Sequence, residues 1–126
     1  MKYVFDTSIL IDHLRNITDA RILVEKVERK EVEGIISVIT EAELLSAKRC
    51  EDAKEREMIE KLLKIFRKVE LDNEIAKIAA KFRREYGISL LDAIIAAVGF
   101  KEKCAILTKN IKDFERVKVV EIKKPY

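Results

Sequence analysis

The chain has 126 residues, enough for one folded domain and too few for two ordinary ones. It is 48% hydrophobic and 39% charged, so it can bury a core, and its net charge of +3 permits a polyanionic partner without demanding one. Two lone cysteines and one histidine exclude a disulfide scaffold and a closed structural zinc site, while Lys2 and Asp6 leave no room for a signal-peptide core.

The longest uncharged apolar stretch, residues 93–100, falls well short of the roughly 20 residues needed to cross a bilayer. A soluble, cytoplasmic protein with one domain over residues 1–126 and no membrane role is therefore expected. Abundant Lys, Glu and Arg beside no Gln, no Trp and three Asn is a composition found in thermophiles.

In chain order, a short strand at 2–5 ends in Asp6 and passes at once into helix-period residues Ile9 to Leu14. Ile22, Leu23 and Val27 mark one face of a helix near 19–30, and a strand follows at 34–38. Leu44, Leu45 and Ala47 continue a helix entered at Thr40. The alternating charges of 48–56 suit an exposed helix or a helix junction. Met58, Ile59, Leu62, Leu63 and Phe66 line the next helix, and a strand is expected at 69–71. Ile75, Ile78, Ala79 and Phe82 line another helix, which Gly87 is placed to stop. Ser89 then opens a helix whose first three turns carry one charge, Asp92. Strand runs at 104–107 and 117–122 complete the set. Strands alternating with helices imply parallel pairing through right-handed crossovers, hence one three-layer α/β/α domain.

Ligands of open α/β sheets bind outside the carboxyl ends of the strands. Asp6 occupies such a place, and Glu43 and Asp92 stand in comparable ones. Gathered together, these acids form an all-oxygen donor set suited to Mg²⁺ or Mn²⁺. Each also has a local explanation. Asp6 can cap the helix that follows it. Thr40 to Glu43 has the form of a capping box, with Ile39 and Leu44 as its hydrophobic staple, and Ser89 to Asp92 is a similar box. The set says more than its members, because a lone carboxylate in an apolar helix is costly unless it is paired or binds a cation. Thr7, Ser8, Thr40, Thr108 and Asn110 surround the acids, and Asp113 follows the fourth strand run. Asn110 can equally serve as a turn and cap for a short helix. His13 reads as a surface or boundary residue. No Gly-rich loop of the phosphate-cradling kinds exists.

Four segments now stand together: Val4 to Ser8, Ser37 to Leu44, Leu91 to Ala97, and Leu107 to Phe114. In that order and at that spacing the chain resembles the PIN-domain ribonucleases, in particular the VapC toxins of toxin–antitoxin pairs. The resemblance implies a parallel five-stranded sheet of order 3-2-1-4-5 and a divalent-metal endoribonuclease. It assigns Asp6, Glu43 and Asp92 as catalytic metal ligands. Thr7 and Ser8 orient Asp6 or a water nearby. The family often has an acid two residues after the threonine matched by Thr108; here that position is Asn110, and Asp113 is the candidate replacement as a metal ligand. The resemblance further implies an RNA substrate, Mg²⁺ or Mn²⁺ as cofactor, a VapB-like antitoxin partner and a homodimer, to which exposed apolar residues of the 58–66 helix would contribute. Lys109, Lys112, Lys48 and Arg49 are candidate phosphate contacts, or simply solvated surface charge. Two other readings share these residues: a stand-alone PIN endonuclease of RNA maturation, and a binding module whose catalytic site has decayed. An aspartyl-phosphate phosphatase is disfavoured, because Ser8 stands where such enzymes carry a second Asp.

Overall fold

In the computed structural model, which describes residues 1–126, short apolar runs form five parallel strands. These are β1 (Lys2–Phe5), β2 (Glu33–Ser37), β3 (Arg67–Val69), β4 (Ala105–Leu107) and β5 (Ile122–Lys123). Seven helices connect them: α1 (Thr7–Leu14), α2 (Thr18–Glu28), α3 (Val38–Leu45), α4 (Ala53–Lys64), α5 (Asn73–Tyr86), α6 (Leu90–Glu102) and α7 (Ile111–Phe114). A single 3-10 turn, Lys48–Glu51, joins α3 to α4. The strand order is β3-β2-β1-β4-β5, as the resemblance implies.

Neighbouring residues of each central strand serve opposite faces, and both faces are covered. Val4, Ile35 and Ile106 pack with α5 and α6 in one core cluster. Phe5, Ile36 and Leu107 pack with α1, α2 and α4 in the other. The sheet is thus the middle of three layers. Burying Phe5 completely, edge-to-face with Phe66 at 5.0 Å, contributes on the order of 2–3 kcal/mol. The register sets β1 between β2 and β4, with Val4 opposite Ile35 and Phe5 opposite Leu107. All five strands run the same way, so every strand-to-helix exit, and every acid placed there, falls at one edge.

Local signals start and stop the helices. Gly87 ends α5 in the left-handed region at φ 66°, as its position in the sequence suggested. Ser89 caps α6 by accepting from the Asp92 amide at 3.1 Å. α3 departs from expectation: it begins at Val38 and is capped by Ser37, which accepts from the Ile39 amide at 3.1 Å. Thr40 therefore lies inside the helix, and no capping box joins it to Glu43. Asp6 sits at the cap position of α1 but makes no capping bond.

The last strand also departs from expectation. The valines of 117–122 suggested a strand there, yet turn bonds from Val117 N–H to the Phe114 carbonyl and from Val120 N–H to the Val117 carbonyl occupy that segment. Val117 and Val120 are buried against the α5–α6 core, so their branched side chains plug that layer. Only Ile122 and Lys123 pair with β4. The α4 helix turns Ile59, Leu62 and Leu63 inward and leaves Met58 as its exposed apolar residue, which reduces the dimer surface anticipated there.

Gly34 is the tightest point of the β2 layer. A Cβ at this position would meet Phe66 side-chain atoms at 2.7 and 2.8 Å and Val27 at 2.9 Å. Both neighbours are buried, so they cannot move aside freely. Gly34→Ala is expected to cost about 1–3 kcal/mol through overpacking, read as a lowered midpoint in denaturant unfolding. An unchanged midpoint would show that the β2–α4 layer is loosely packed.

Candidate active site

The backbone of Asp6 extends the central ladder by one residue, its N–H donating to the Leu107 carbonyl at 3.0 Å. Its side chain is then held from two directions. Ser8 Oγ donates to Asp6 Oδ2 at 2.9 Å, and Thr108 Oγ1, at the end of the neighbouring strand, donates to the same oxygen at 2.8 Å. Oδ1 is left without a protein donor. The local capping explanation for Asp6 is thereby replaced: the carboxylate is aimed across the sheet edge, and it is only 5% exposed.

Glu43 is held by a relay of hydroxyls. Thr7 Oγ1 donates to Glu43 Oε1 at 2.7 Å and lies 2.9 Å from Thr40 Oγ1. Because a hydroxyl has one proton, Thr40 must donate to Thr7 while Thr7 donates to Glu43. Thr40, fully buried, is therefore a member of this network and not a helix cap. Thr7 was anticipated as an orienting residue for Asp6 or a nearby water; its hydroxyl holds Glu43, two helices along the chain.

Asp92 is half-buried at the start of α6. Burial, first, and the negative charges of Asp113, Asp6 and Glu43, in turn, push its carboxyl above the usual carboxylate range, against the Ser89 hydrogen bond that lowers it. The other three anticipated acids thus each lie close enough to Asp92 to act on it. No three of the four approach closely enough to share one ion in their present arrangement. Asp113 is exposed on α7, and Asn110 makes no capping bond there; its backbone N–H donates to Thr108 Oγ1 at 2.9 Å. Thr108 thus bonds Asp6 while its own loop holds it.

The anticipated phosphate contacts divide into two groups. Lys109 Nζ lies 2.7 Å from Asp12 Oδ2, and Arg49 pairs with Glu55, so both are already engaged. Lys112 and Lys48 are exposed and form no ion pair.

Asp12 escaped the sequence reading. It is a buried carboxylate on α1, 6% exposed, that accepts from Lys109 and, at 2.6 Å, from the Tyr126 hydroxyl. Lys109 chiefly, with Tyr126, holds its carboxyl below the usual range, while burial of the Tyr126 phenol, with Asp12, pushes that group up. One carboxylate thereby ties the loop after β4 and the C-terminal residue to the first helix. The sequence separations of 97 and 114 residues explain why no local pattern betrayed it. His13, on the same helix, is half-buried and its Nδ1 has no partner; burial holds its pKa below the ordinary value.

A doubly covered parallel sheet of order 3-2-1-4-5 with four acids at its carboxyl edge defines a class, and the chain belongs to it: the PIN domain family, whose family model matches residues 3–120. Among curated relatives, it is similar to Ribonuclease VapC2 of Methanocaldococcus jannaschii, 32% identical across 96% of this chain and 92% of that protein. Among solved structures, it is similar to a toxin–antitoxin complex from Klebsiella pneumoniae, with TM-score 0.81, 27% identity and 98% of each chain covered. It also shares its fold with VapBC2 from Rickettsia felis bound to a promoter DNA fragment, with TM-score 0.81, 21% identity and 98% of each chain covered. No helix of the chain is long and apolar enough to cross a membrane.

Two stability measurements test this geometry. Asp12→Asn should lower the thermal midpoint at pH 7, because it weakens the charge-assisted bond from Lys109 by about 1–3 kcal/mol. A depressed carboxyl stabilises the fold only where it is ionised. The gap should therefore be full above the ordinary Asp value of 3.8 and shrink as pH falls through the lower folded value. A gap as wide at pH 2 as at pH 7 would contradict the ion pair. Asp92→Asn should do the reverse. With EDTA at pH 7 it removes a charge disfavoured by burial and by three like neighbours, so the midpoint should rise. A fall would mean that Asp92 is favourably paired.

Proposed function

We propose that this chain is a divalent-metal endoribonuclease acting as the toxin of a VapBC-type pair. The supporting observation is the crowding at Asp92: burial and three other acids raise the cost of ionising a carboxylate that has no cationic partner. A fold keeps such an arrangement at a cost to stability, and a hard dication offsets it. The donors are oxygens only, in keeping with Mg²⁺ or Mn²⁺ and not with zinc. Ribonuclease VapC2 supports RNA as the substrate, and the toxin–antitoxin complex from Klebsiella pneumoniae supports the regulatory pairing.

In this reading Asp6, through its undonated Oδ1, and Asp92 hold the ion, with Glu43 and Asp113 completing the acidic edge. When bound, the dication supplies Lewis acidity toward a phosphodiester and lowers the pKa of water. The chain itself does the positioning. Ser8 and Thr108 fix the plane of the Asp6 carboxylate, and the Thr40–Thr7 relay fixes Glu43. Of the four anticipated cations, Lys112 and Lys48 are left to meet the RNA backbone. A VapB-like antitoxin would approach along the groove beside Glu43, which Ile11, Leu14, Leu44, Ile59 and two arginines line. A cytoplasmic homodimer belongs to the same reading.

Asp6→Asn and Asp92→Asn should each reduce Mn²⁺-dependent RNA cleavage by more than about a hundredfold, beyond what residues that merely orient a ligand typically cost. Circular dichroism should show the fold retained, and EDTA should silence the wild type. Full cleavage by either variant, or by the wild type in EDTA, would refute the assignment. Growth arrest on expression, relieved by the product of an adjacent small gene, separates a toxin from an RNA-maturation enzyme.

A further inference from the structure

An open cavity adjoins the acids on the side of Asp92. Gly87 and Ser89 from the α5–α6 turn, with Asp92 of α6, form one wall; Lys112, Asp113 and Arg116, from α7 and the residues after it, form the other. Two carboxylates and two cations thus share one cavity, yet neither Lys112 nor Arg116 forms an ion pair with either acid or with any other. Arg116 makes one hydrogen bond, from Nη1 to the Tyr86 carbonyl at 3.5 Å, longer than a well-formed N–H···O bond. Four of its five donors remain unused.

Two other cations at this edge are committed. Lys68 pairs with Glu41 at 3.1 Å, and Lys109 with Asp12 at 2.7 Å. Lys48, also unpaired, stands after α3 on the Glu43 side. Lys112 and Arg116 are therefore the free positive charge beside Asp92. Cations placed there to neutralise the acids would have closed onto them. Held apart, they leave the carboxylates to a metal and their own donors to an anion.

We propose that Arg116, assisted by Lys112, forms a phosphate subsite that holds a backbone phosphate of the RNA next to the one being cleaved. This rests on the ribonuclease reading above and specifies how that enzyme grips its substrate. A guanidinium presents a planar fork that matches two phosphate oxygens, whereas the ammonium of Lys112 adds charge without that geometry. The Gly87 turn suits a neighbouring strand of substrate, since this exposed residue offers no side chain to the cavity mouth. The contact is to an unreacting phosphate, so it strengthens binding of substrate and transition state alike. Its loss should appear in KM and leave kcat little changed.

The test first maps the cut made by the wild type with Mn²⁺ in a single-stranded RNA. It then replaces each flanking linkage in turn by an uncharged methylphosphonate at a 2′-deoxy nucleotide. Arg116→Ala should raise KM roughly tenfold, the cost of one charge-assisted bond, and Lys112→Ala should raise it less. Arg116→Lys should recover part of the loss. One neutral linkage should raise the wild-type KM as Arg116→Ala does, and should add nothing further in that variant, since both remove the same contact. Thermal unfolding of Arg116→Ala checks that the α5–α6 turn stays folded, and a variant that unfolds is replaced by Arg116→Gln. Independent, multiplying effects at every linkage, or a loss confined to kcat, would overturn the subsite while leaving the ribonuclease standing. No metal-dependent cleavage of any RNA by the wild type would overturn both.

Discussion

Asp6 is fixed by backbone and side chain together, and much of the site depends on that double constraint. Its amide belongs to the β1–β4 ladder, so the residue cannot slide or turn without breaking the central pairing. Its carboxylate is clamped by Ser8 from its own chain and by Thr108 from the adjacent strand, both on a single oxygen. The second oxygen is thereby left without a protein donor at the point where β1 gives way to α1. Around this fixed anion the other acids arrive on separate helices: Glu43 inside α3, Asp92 in the first turn of α6, and Asp113 on α7. Burial first, and then the charges of Asp113, Asp6 and Glu43, make Asp92 costly to ionise.

Charge is distributed unequally between the two edges of the sheet. At the edge where the strands begin, Glu102 meets both Lys2 and Arg67, and Arg67 meets Glu33. Arg67, foremost, holds the Glu102 carboxyl low and is itself held protonated by it. Opposite charges there are matched. At the edge where the strands end, Asp6 and Glu43 find hydroxyls as partners and not cations. A hydroxyl orients a carboxylate without neutralising it. That difference separates a charge-matched network from one left negatively charged. Asp12 marks the boundary: it takes Lys109 and the Tyr126 phenol, anchoring the loop that carries Thr108.

Much of this was legible in the sequence, for physical reasons that particular residues make plain. Strands covered on both faces are continuous apolar runs, and Gly87 and Ser89 mark helix ends by conformation and capping, so the layers and crossovers could be read directly. Asp6 was legible because it follows such a run and precedes a helical pattern, Glu43 because it lies in the helix after the second run, and Asp92 because it is the one charge in the first three turns of an apolar helix. Thr40 was misread as a cap because Thr-x-x-Glu looks the same whether it opens a helix or lies within one; only Ser37, three residues earlier, decides it. The valines near 120 were misread because branched side chains fill a core as well from turns as from a strand. Asp12, Lys109 and Tyr126 were invisible because their contact is created by the fold and has no local pattern. Lys109 consequently looked like a free surface cation when its charge was already committed. Arg116 could not be weighed until the α5–α6 turn was seen across from it.

The central claim is that acids far apart along the chain jointly hold one hard dication at the edge of the sheet. Crystals soaked in Mn²⁺ and recorded at its absorption edge test this directly. The account predicts an anomalous peak bonded to Asp6 Oδ1 and to the Asp92 carboxylate, at distances of roughly 2.1–2.2 Å. A well-ordered site with no peak there, or with manganese bound only by surface carboxylates away from Asp6, would contradict it.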